Sequence, residues 1–367
     1  MAINAKNILI FTIGQLGDTI ASVPSIWCIR NFFLHSRITL LYDKHIGTDY
    51  VSAPDVLKDS GLVDDFICYP FYKSKIVRAT SIDKISTLLR LRAFKYDTLV
   101  YLVPSRRTHS QIKRDIQFFR LAGIKQFIGT EGFLSLPAKI PDQPLPKIPH
   151  ENELLLSRLA KSGIPIPLNK KDSITINIGE KEEAAVRHWL TELSTDGNRQ
   201  WIAVGPASKM PVKVWPAERY LKVVQQLIQE FDIWPVVFGG PEDKLLAESM
   251  VSKWARGYVA AGSLTVRQAL AAMEKCAFYL GNDSGTMHMA VAAGLKCVAI
   301  FSSRDYPGNW EPYTDGHIVL RTPISCEGCM LLDCIKNKMK CILAITVEKV
   351  LNACREFLTE TNPSLKR

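Results

Sequence analysis

The sequence predicts an α/β protein made of two doubly wound, Rossmann-like domains facing a cleft. Three observations predict it. Short apolar runs alternate with helix-spaced stretches in both halves of the chain, the pattern of parallel strands joined by crossover helices. A proline-dense stretch separates the halves. Several apolar runs end in glycine and small polar residues where a helix begins, and open parallel sheets bind ligands at those carboxyl ends. A chain of 367 residues also fits two domains at about 150 residues each.

The first half opens with Ile8–Ile13, an apolar run closed by Gly14, followed by helical spacing over Gly17–Phe33. Further strands are expected at Ile38–Tyr42, Phe66–Tyr69, Thr98–Val103 and Gln126–Ile128. Then come Pro137, Pro141, Pro144, Pro146, Pro149, Pro165 and Pro167. Such density forbids a central strand or a long helix and marks the interdomain connection, interrupted by a short helix at Glu151–Lys161. The second half repeats the alternation. Strands are expected at Trp201–Val204, Trp234–Phe238, Phe278–Leu280 and Cys297–Phe301, with helices at Pro216–Glu230, from Glu242, and over Thr286–Ala293. An N-terminal domain is therefore expected at residues 1–170, with its proline-rich connection at about 137–170. A C-terminal domain follows at 171–367, with a cysteine-rich segment at 326–341 and a C-terminal helix.

Charge and cysteine usage narrow the function classes. The formal net charge is +10, and residues 71–120 carry twelve Lys/Arg against Asp83, Asp97 and Asp115, a local +9. A basic patch suits an anionic partner: a phosphorylated substrate, a membrane surface or nucleic acid. It equally describes a solvated face. No run approaches about 18 uninterrupted apolar residues, so no spanning helix is expected. The opening residues run directly into a strand pattern without a small-residue cleavage site, unlike a signal peptide. Nine cysteines, an odd number and partly inside apolar runs, suit small buried side chains in a reducing compartment. A cytoplasmic protein that touches the membrane peripherally is the expectation.

Four clusters carry chemistry. Gly14-Gln15-Leu16-Gly17-Asp18-Thr19 follows the first strand. Its glycines permit a tight turn at a helix N-terminus, but it is neither the dinucleotide fingerprint nor a P-loop. Asp18 either caps the helix or aims a general base into the cleft. Gly205-Pro206-Ala207-Ser208-Lys209 with Lys213 suits a diphosphate, or is a solvated loop. Gly239-Gly240-Pro241-Glu242-Asp243 could bind ribose hydroxyls through a carboxylate, or simply supply favourable first-turn charges. Gly281-Asn282-Asp283-Ser284-Gly285-Thr286-Met287-His288 ends an apolar strand and opens a helix. Ser284 and the N–H groups there could hold a phosphate, with His288 one turn further along.

Taken in order and spacing, LIFTIGQLGDTIASVP, PASKMPVKVWPAERY, VVFGGPED and GNDSGTMHMAVAAG resemble glycosyltransferase family 9, best known for ADP-heptose:lipopolysaccharide heptosyltransferases. The resemblance covers nearly the whole chain and implies a GT-B fold, with the acceptor on the first domain and the nucleotide sugar on the second. It implies an inverting, metal-independent transfer of a heptose or related sugar, with ADP-heptose as donor and a bacterial lipopolysaccharide core saccharide as acceptor. Asp18 then matches the catalytic base. Ser208, Lys209 and Lys213 match diphosphate contacts, Lys213 also stabilising the leaving group, and Glu242 matches a ribose contact. Asp283, Ser284, Gly285 and His288 match the donor-site turn. Gly17, Arg106, Arg107, Lys113 and Arg114 would serve an anionic, lipid-linked acceptor. Thr12 stands where family members commonly carry Lys or Arg.

The resemblance thus implies no catalytic metal or cofactor, and the lack of an isolated D-x-D triad at a strand end agrees with it. Cys326, Cys329, Cys334 and Cys341 match the ligand count of a structural zinc site but no standard finger spacing; free or disulfide-linked thiols are the alternative. Two other function classes compete: a non-catalytic nucleotide-sugar or glycan binding protein on the same fold, and a nucleic-acid-binding protein. Against the last, the basic stretch has few aromatic platforms beyond Phe94, Tyr96 and Tyr101. A transferase of a different sugar also remains open.

Overall fold

The computed structural model describes residues 5–46, 51–72, 81–141, 143–167, 169, 174–192, 199–335 and 337–361. The chain divides into two compact units, residues 1–136 with 151–177, and residues 137–150 with 178–367. The segment 137–150, expected in the connection, thus packs with the second unit. The Ile148 N–H donates to the Pro307 carbonyl at 2.9 Å and the Leu145 N–H to Glu327 Oε1 at 2.6 Å.

The first unit holds a five-stranded sheet of β1 (Asn7–Phe11), β2 (Arg37–Ile46), β3 (Asp65–Tyr72), β4 (Thr98–Tyr101) and β5 (Gln126–Ile128). Their order is β3-β2-β1-β4-β5, and every pairing is parallel. Its helices are α1 (Leu16–Phe32), α2 (Ala53–Leu57), α3 (Ser81–Phe94), α4 (His109–Leu121) and α5 (Glu151–Lys161). Leu9, Phe11, Leu41, Leu99, Tyr101 and Phe119 form the buried core on one side of the sheet. α1 carries ten buried residues, Pro24 among them, because α2 and α5 pack on it from outside the sheet.

The second unit holds six parallel strands, β6 (Trp201–Gly205), β7 (Trp234–Val237), β8 (Tyr258–Val259), β9 (Tyr279–Asn282), β10 (Cys297–Phe301) and β11 (Ile318–Arg321), ordered β11-β10-β9-β6-β7-β8. Its helices are α6 (Glu180–Glu192), α7 (Ala217–Phe231), α8 (Lys244–Trp254), α9 (Val266–Met273), α10 (Gly285–Ala292), α11 (Lys340–Leu343) and α12 (Val347–Thr361), with 3-10 turns at Pro211–Lys213 and Pro241–Asp243. In α7, Tyr220, Val223, Val224 and Leu227 recur at helical spacing and are all buried, an apolar stripe facing the core. α12 packs on α7, and Arg355 closes the contact with two bonds to Glu230 at 2.8 and 2.5 Å.

Both units are the doubly wound α/β domains that the strand–helix alternation predicts. In each sheet the strand order reverses once, between β1 and β4 and between β6 and β9. At such a reversal the loops leaving the two strands diverge to opposite faces and open a crevice. The crevices fall beside Gly14–Asp18 and Pro104–Arg107 in the first unit, and beside Pro206–Lys213 and Asp283–Gly285 in the second.

Candidate functional site

In the first unit the turn after β1 is drawn tight by two carboxylates. Gly14 adopts φ +123°, a conformation L side chains rarely take, and a Cβ there would overlap the Asp18 carboxyl. The Gly14 N–H donates to Asp43 Oδ1 and the Gln15 N–H to Asp18 Oδ2, both at 2.9 Å. Asp18 therefore does cap α1. The cap engages Oδ2, and a carboxylate has a second oxygen with further lone pairs, so capping and base chemistry are compatible. Burial pushes the Asp18 pKa up from 3.8 to about 6; the Gln15 N–H opposes this, while the nearby Glu151 and Asp43 carboxylates add to it.

The loop after β4 is held from below. Glu151, 2 % exposed at the start of α5, accepts the Ser105 N–H through Oε1 at 2.7 Å. Arg158, fully buried, donates to the Val103 carbonyl at 2.6 Å and stacks over the Phe133 ring at 4.2 Å. Of the basic residues expected to meet an acceptor, Arg107 is already committed: it pairs with Asp115, which also accepts from the Tyr101 hydroxyl at 2.7 Å. Arg114 reaches the other Asp115 oxygen at 2.9 Å while remaining largely exposed. Lys113 is exposed, Arg106 half-buried and Gly17 half-buried. Thr12 is 3 % exposed.

In the second unit, β6 and β9 run side by side, and their outgoing loops are stitched together by Asn282. Its Nδ2 donates to the Pro206 carbonyl at 2.7 Å, and its Oδ1 accepts the Trp215 N–H at 3.1 Å and the Tyr220 hydroxyl at 2.9 Å. Across the same strand reversal Lys213 Nζ lies 2.7 Å from Asp283 Oδ2, both side chains largely buried. The Ser284 and Thr286 hydroxyls are 2.9 Å apart, as are those of Thr286 and Tyr279, at the first turn of α10. Gly205 and Gly281 leave room for the Tyr279 hydroxyl that any Cβ would strike. His288 is 7 % exposed, its pKa driven down to about 3 by burial and then by the Lys213 cation. It is a neutral imidazole at pH 7. Lys209 and Glu242 are exposed, with Nζ 3.9 Å from Oε1. Ser208 is half-buried, and its hydroxyl accepts the Met210 N–H at 3.3 Å.

Each unit carries a cluster with its own chemistry. One has a partly enclosed carboxylate of elevated basicity. The other has a buried lysine, small hydroxyls, a neutral histidine and a helix N-terminus, chemistry suited to a phosphate. Residues 156–340 match the family model for glycosyltransferase family 9 (heptosyltransferase). The chain belongs to glycosyltransferase family 9. It is a glycosyltransferase, and the match takes in all three strand-end clusters of the second unit. The family 9 chain is also similar, over 95 % of its length and 97 % of the relative's, to the lipooligosaccharide heptosyltransferase 2 of Campylobacter jejuni, at 20 % identity. Among solved structures it is similar to a glycosyl transferase family 9 protein from Veillonella parvula (TM-score 0.72, 22 % identity, 97 % and 98 % of the two chains). The Escherichia coli ADP-heptose lipopolysaccharide heptosyltransferase II is similar too (TM-score 0.67, 20 % identity, 97 % and 99 %). These two likenesses establish the GT-B fold of this family 9 glycosyltransferase.

Two residues of the first unit's cluster have no signal in the sequence. Asp43 sits within β2, and Glu151 opens a helix beyond the proline-rich stretch. Each bonds a backbone N–H of a site loop from a distance of 29 or 46 residues, and no local motif announces such a bond. The four clustered cysteines are free thiols, Cys334 and Cys341 buried, Cys326 and Cys329 half-buried. Among the described residues no group of three or more His, Cys, Asp or Glu is placed to hold a metal ion. Among them, too, no helix is long and apolar enough to cross a membrane.

Proposed function

We propose that this family 9 glycosyltransferase moves a heptose, or a closely related sugar, from ADP-heptose to a saccharide acceptor of the lipopolysaccharide core. The transfer is a single inverting displacement without a metal ion, and Asp18 is the general base. The donor and acceptor classes follow the names of the similar proteins, a lipooligosaccharide heptosyltransferase 2 and an ADP-heptose lipopolysaccharide heptosyltransferase. Such an acceptor is lipid-linked, so the enzyme works against the cytoplasmic membrane face.

The observation that carries the reading is the buried Lys213 beside the first turn of α10, at the strand reversal of the second unit. When the nucleoside diphosphate leaves, negative charge develops on its oxygens. A fixed cation and unsatisfied helix N–H groups stabilise that charge without reorganising. Ser208, Ser284 and the Gly285 N–H bond the phosphates, Lys209 adds a more distant charge, Glu242 takes ribose hydroxyls, and Asp283 holds Lys213 in place. Neutral His288 contributes hydrogen bonding without competing charge. On the first unit Asp18, mostly ionised at pH 7 with a pKa of about 6, removes the proton as the acceptor hydroxyl attacks the anomeric carbon opposite the departing diphosphate. Arg106, Lys113 and Arg114 meet acceptor anions. Arg107 acts behind them, fixing Asp115.

The test is transfer by the purified protein, followed by mass spectrometry of the acceptor and by ADP release, with UDP- and GDP-sugars in parallel. Acceptor glycosylation with ADP-heptose is expected. Binding of nucleotide sugars without their consumption would make the chain a non-catalytic binder, and preferential use of another sugar nucleotide would replace the donor.

A further inference from the structure

α3 turns an unusual face to solvent. Its inner side is Thr87 and Leu91, 4 % and 0 % exposed, and Leu91 enters the core of the first unit. On the opposite side Ile85 is 53 % and Leu89 58 % exposed, and their spacing of four residues places them in one stripe. At 100° per residue, exposed Arg92 falls within that stripe, and half-buried Leu88, packed against the core, flanks it on the side of Lys84; Lys95 follows the last turn in left-handed backbone, with φ +52°. Phe94, 51 % exposed, stacks on Tyr96 at the end of the helix. Lys84, Arg90, Arg92 and Lys95 are all exposed, against the one acid of the helix, Asp83. A solvent-facing helix ordinarily places polar side chains where Ile85 and Leu89 stand.

We propose that this face of α3 is a membrane-interfacial surface that seats on an anionic lipid bilayer. Ile85 and Leu89 enter the boundary between headgroups and acyl chains, and Lys84, Arg92 and Lys95 meet lipid phosphates. An apolar stripe bordered by cations is what such a surface requires. Charge also selects this occupant over a second copy of the chain, because a twofold contact through α3 would set the same cations against one another. The stripe is short, so the attachment is weak and reversible, which suits an enzyme that must meet and release successive acceptors. The inference rests on the reading that the acceptor is lipid-linked, and it names the surface that brings the first unit to it.

The experiment is flotation of the full chain with phosphatidylcholine vesicles, with and without phosphatidylglycerol. Binding is expected only to the anionic vesicles, weakening as salt rises. Each of Lys84→Gln, Arg92→Gln and Lys95→Gln should cut partitioning about 5-fold, since a cation near an anionic surface is worth about 1 kcal/mol. Ile85→Ser with Leu89→Ser should cut it at least about 10-fold. Thermal melting should be unchanged in all of these variants, and transfer to a soluble, lipid-free acceptor should be unaffected. Equal binding to neutral vesicles, or full retention by the serine variant, would overturn the proposal. So would a dimer of the parent chain that the serine variant dissolves. A parent chain that transfers sugar but floats with no vesicle would sink this inference alone. One that floats as expected yet transfers nothing would sink the functional reading and leave the surface standing.

Discussion

The Lys213 ammonium and the Asp283 carboxylate, 2.7 Å apart and both largely buried, join the loops leaving β6 and β9 across the point where the second sheet reverses its strand order. The pair does two things at once. It fixes the cation that the proposed reading sets against the leaving diphosphate, and each charge relieves the other of the cost of burial. Removing one partner alone therefore confuses stability with chemistry.

That confusion can be separated. Lys213→Ala should lower stability by about 3 kcal/mol, because Asp283 is left buried and unpaired, and should slow transfer at least about 100-fold. Lys213→Met combined with Asp283→Leu replaces the pair by apolar side chains of similar size and should recover most of the stability. Transfer should stay low. Melting curves and single-turnover rates on both variants decide it, and restored transfer in the double variant would strip Lys213 of its part in the chemistry.

Asp18→Asn keeps the shape of the side chain and can still accept the Gln15 N–H. It cannot take a proton, and general-base catalysis typically contributes 10²–10⁴-fold. Transfer should fall at least about 100-fold while donor binding, measured by calorimetry, persists. An Asn variant with normal turnover would reduce Asp18 to a helix cap.

The same residue makes a pH prediction of opposite sign for rate and for stability. Ionised Asp18 is the active form, so kcat/KM should rise with pH through an acid limb near 6. Its folded pKa lies above the ordinary 3.8, so folding favours the protonated form. That contribution is fully present below about pH 4 and is lost as pH rises through about 6, a difference of up to about 3 kcal/mol. Asp18→Asn should therefore melt at or above the parent temperature at pH 8 and show no acid limb. A lower melting temperature there would contradict the burial cost.

On the acceptor side the basic residues should divide by their partners. Arg106→Gln with Lys113→Gln should raise the KM for an anionic acceptor several-fold, less so at high salt because exposed charges are screened within about 8 Å. Donor affinity should hold. Arg107→Gln should instead cost about 3 kcal/mol of stability, since it leaves the Asp115 carboxylate buried with one cation fewer. If Arg107→Gln changed only KM, its tie to Asp115 would not be structural.

A metal-free transfer predicts that dialysis against EDTA leaves the rate unchanged. The melting temperature is the second readout: a fall there at constant rate would reveal a structural ion on the Cys326–Cys341 segment, and loss of rate at constant melting temperature would contradict the mechanism.

Elements with a local signal are legible in the sequence, and features set by distant partners are not. Gln126–Ile128, Glu151–Lys161 and Cys297–Phe301 coincide with β5, α5 and β10, since each is an apolar or periodic run bounded by breakers. β2 extends to Ile46, past the expected Tyr42, because Asp43, Lys44 and His45 continue the ladder with β3, and pairing rather than apolarity defines a strand end. β8 has two residues and β11 four half-buried ones, too little pattern to stand out. The proline spacing marks a connection at about 137–170, but its first part, 137–150, joins the second unit through Glu327 and Pro307, more than 150 residues away. The site clusters were legible because glycine and small polar residues at strand ends are a local pattern. The carboxylates Asp43 and Glu151 and the pairing of Arg107 with Asp115 were not, because each depends on what folding brings beside it.

The assignment of residues 137–150 to the second unit also sets an order for biosynthesis. Leu145 and Ile148, 6 % and 4 % exposed in the folded chain, leave the ribosome before α5, which the first unit needs, and well before their own partners Pro307 and Glu327. At roughly 5–20 residues per second the interval is about ten to thirty seconds. For that time the nascent chain carries a proline-rich strap whose folded-state partners Pro307 and Glu327 are not yet made. Its prolines, which cannot donate to a strand ladder, keep the waiting segment from pairing with a neighbouring chain.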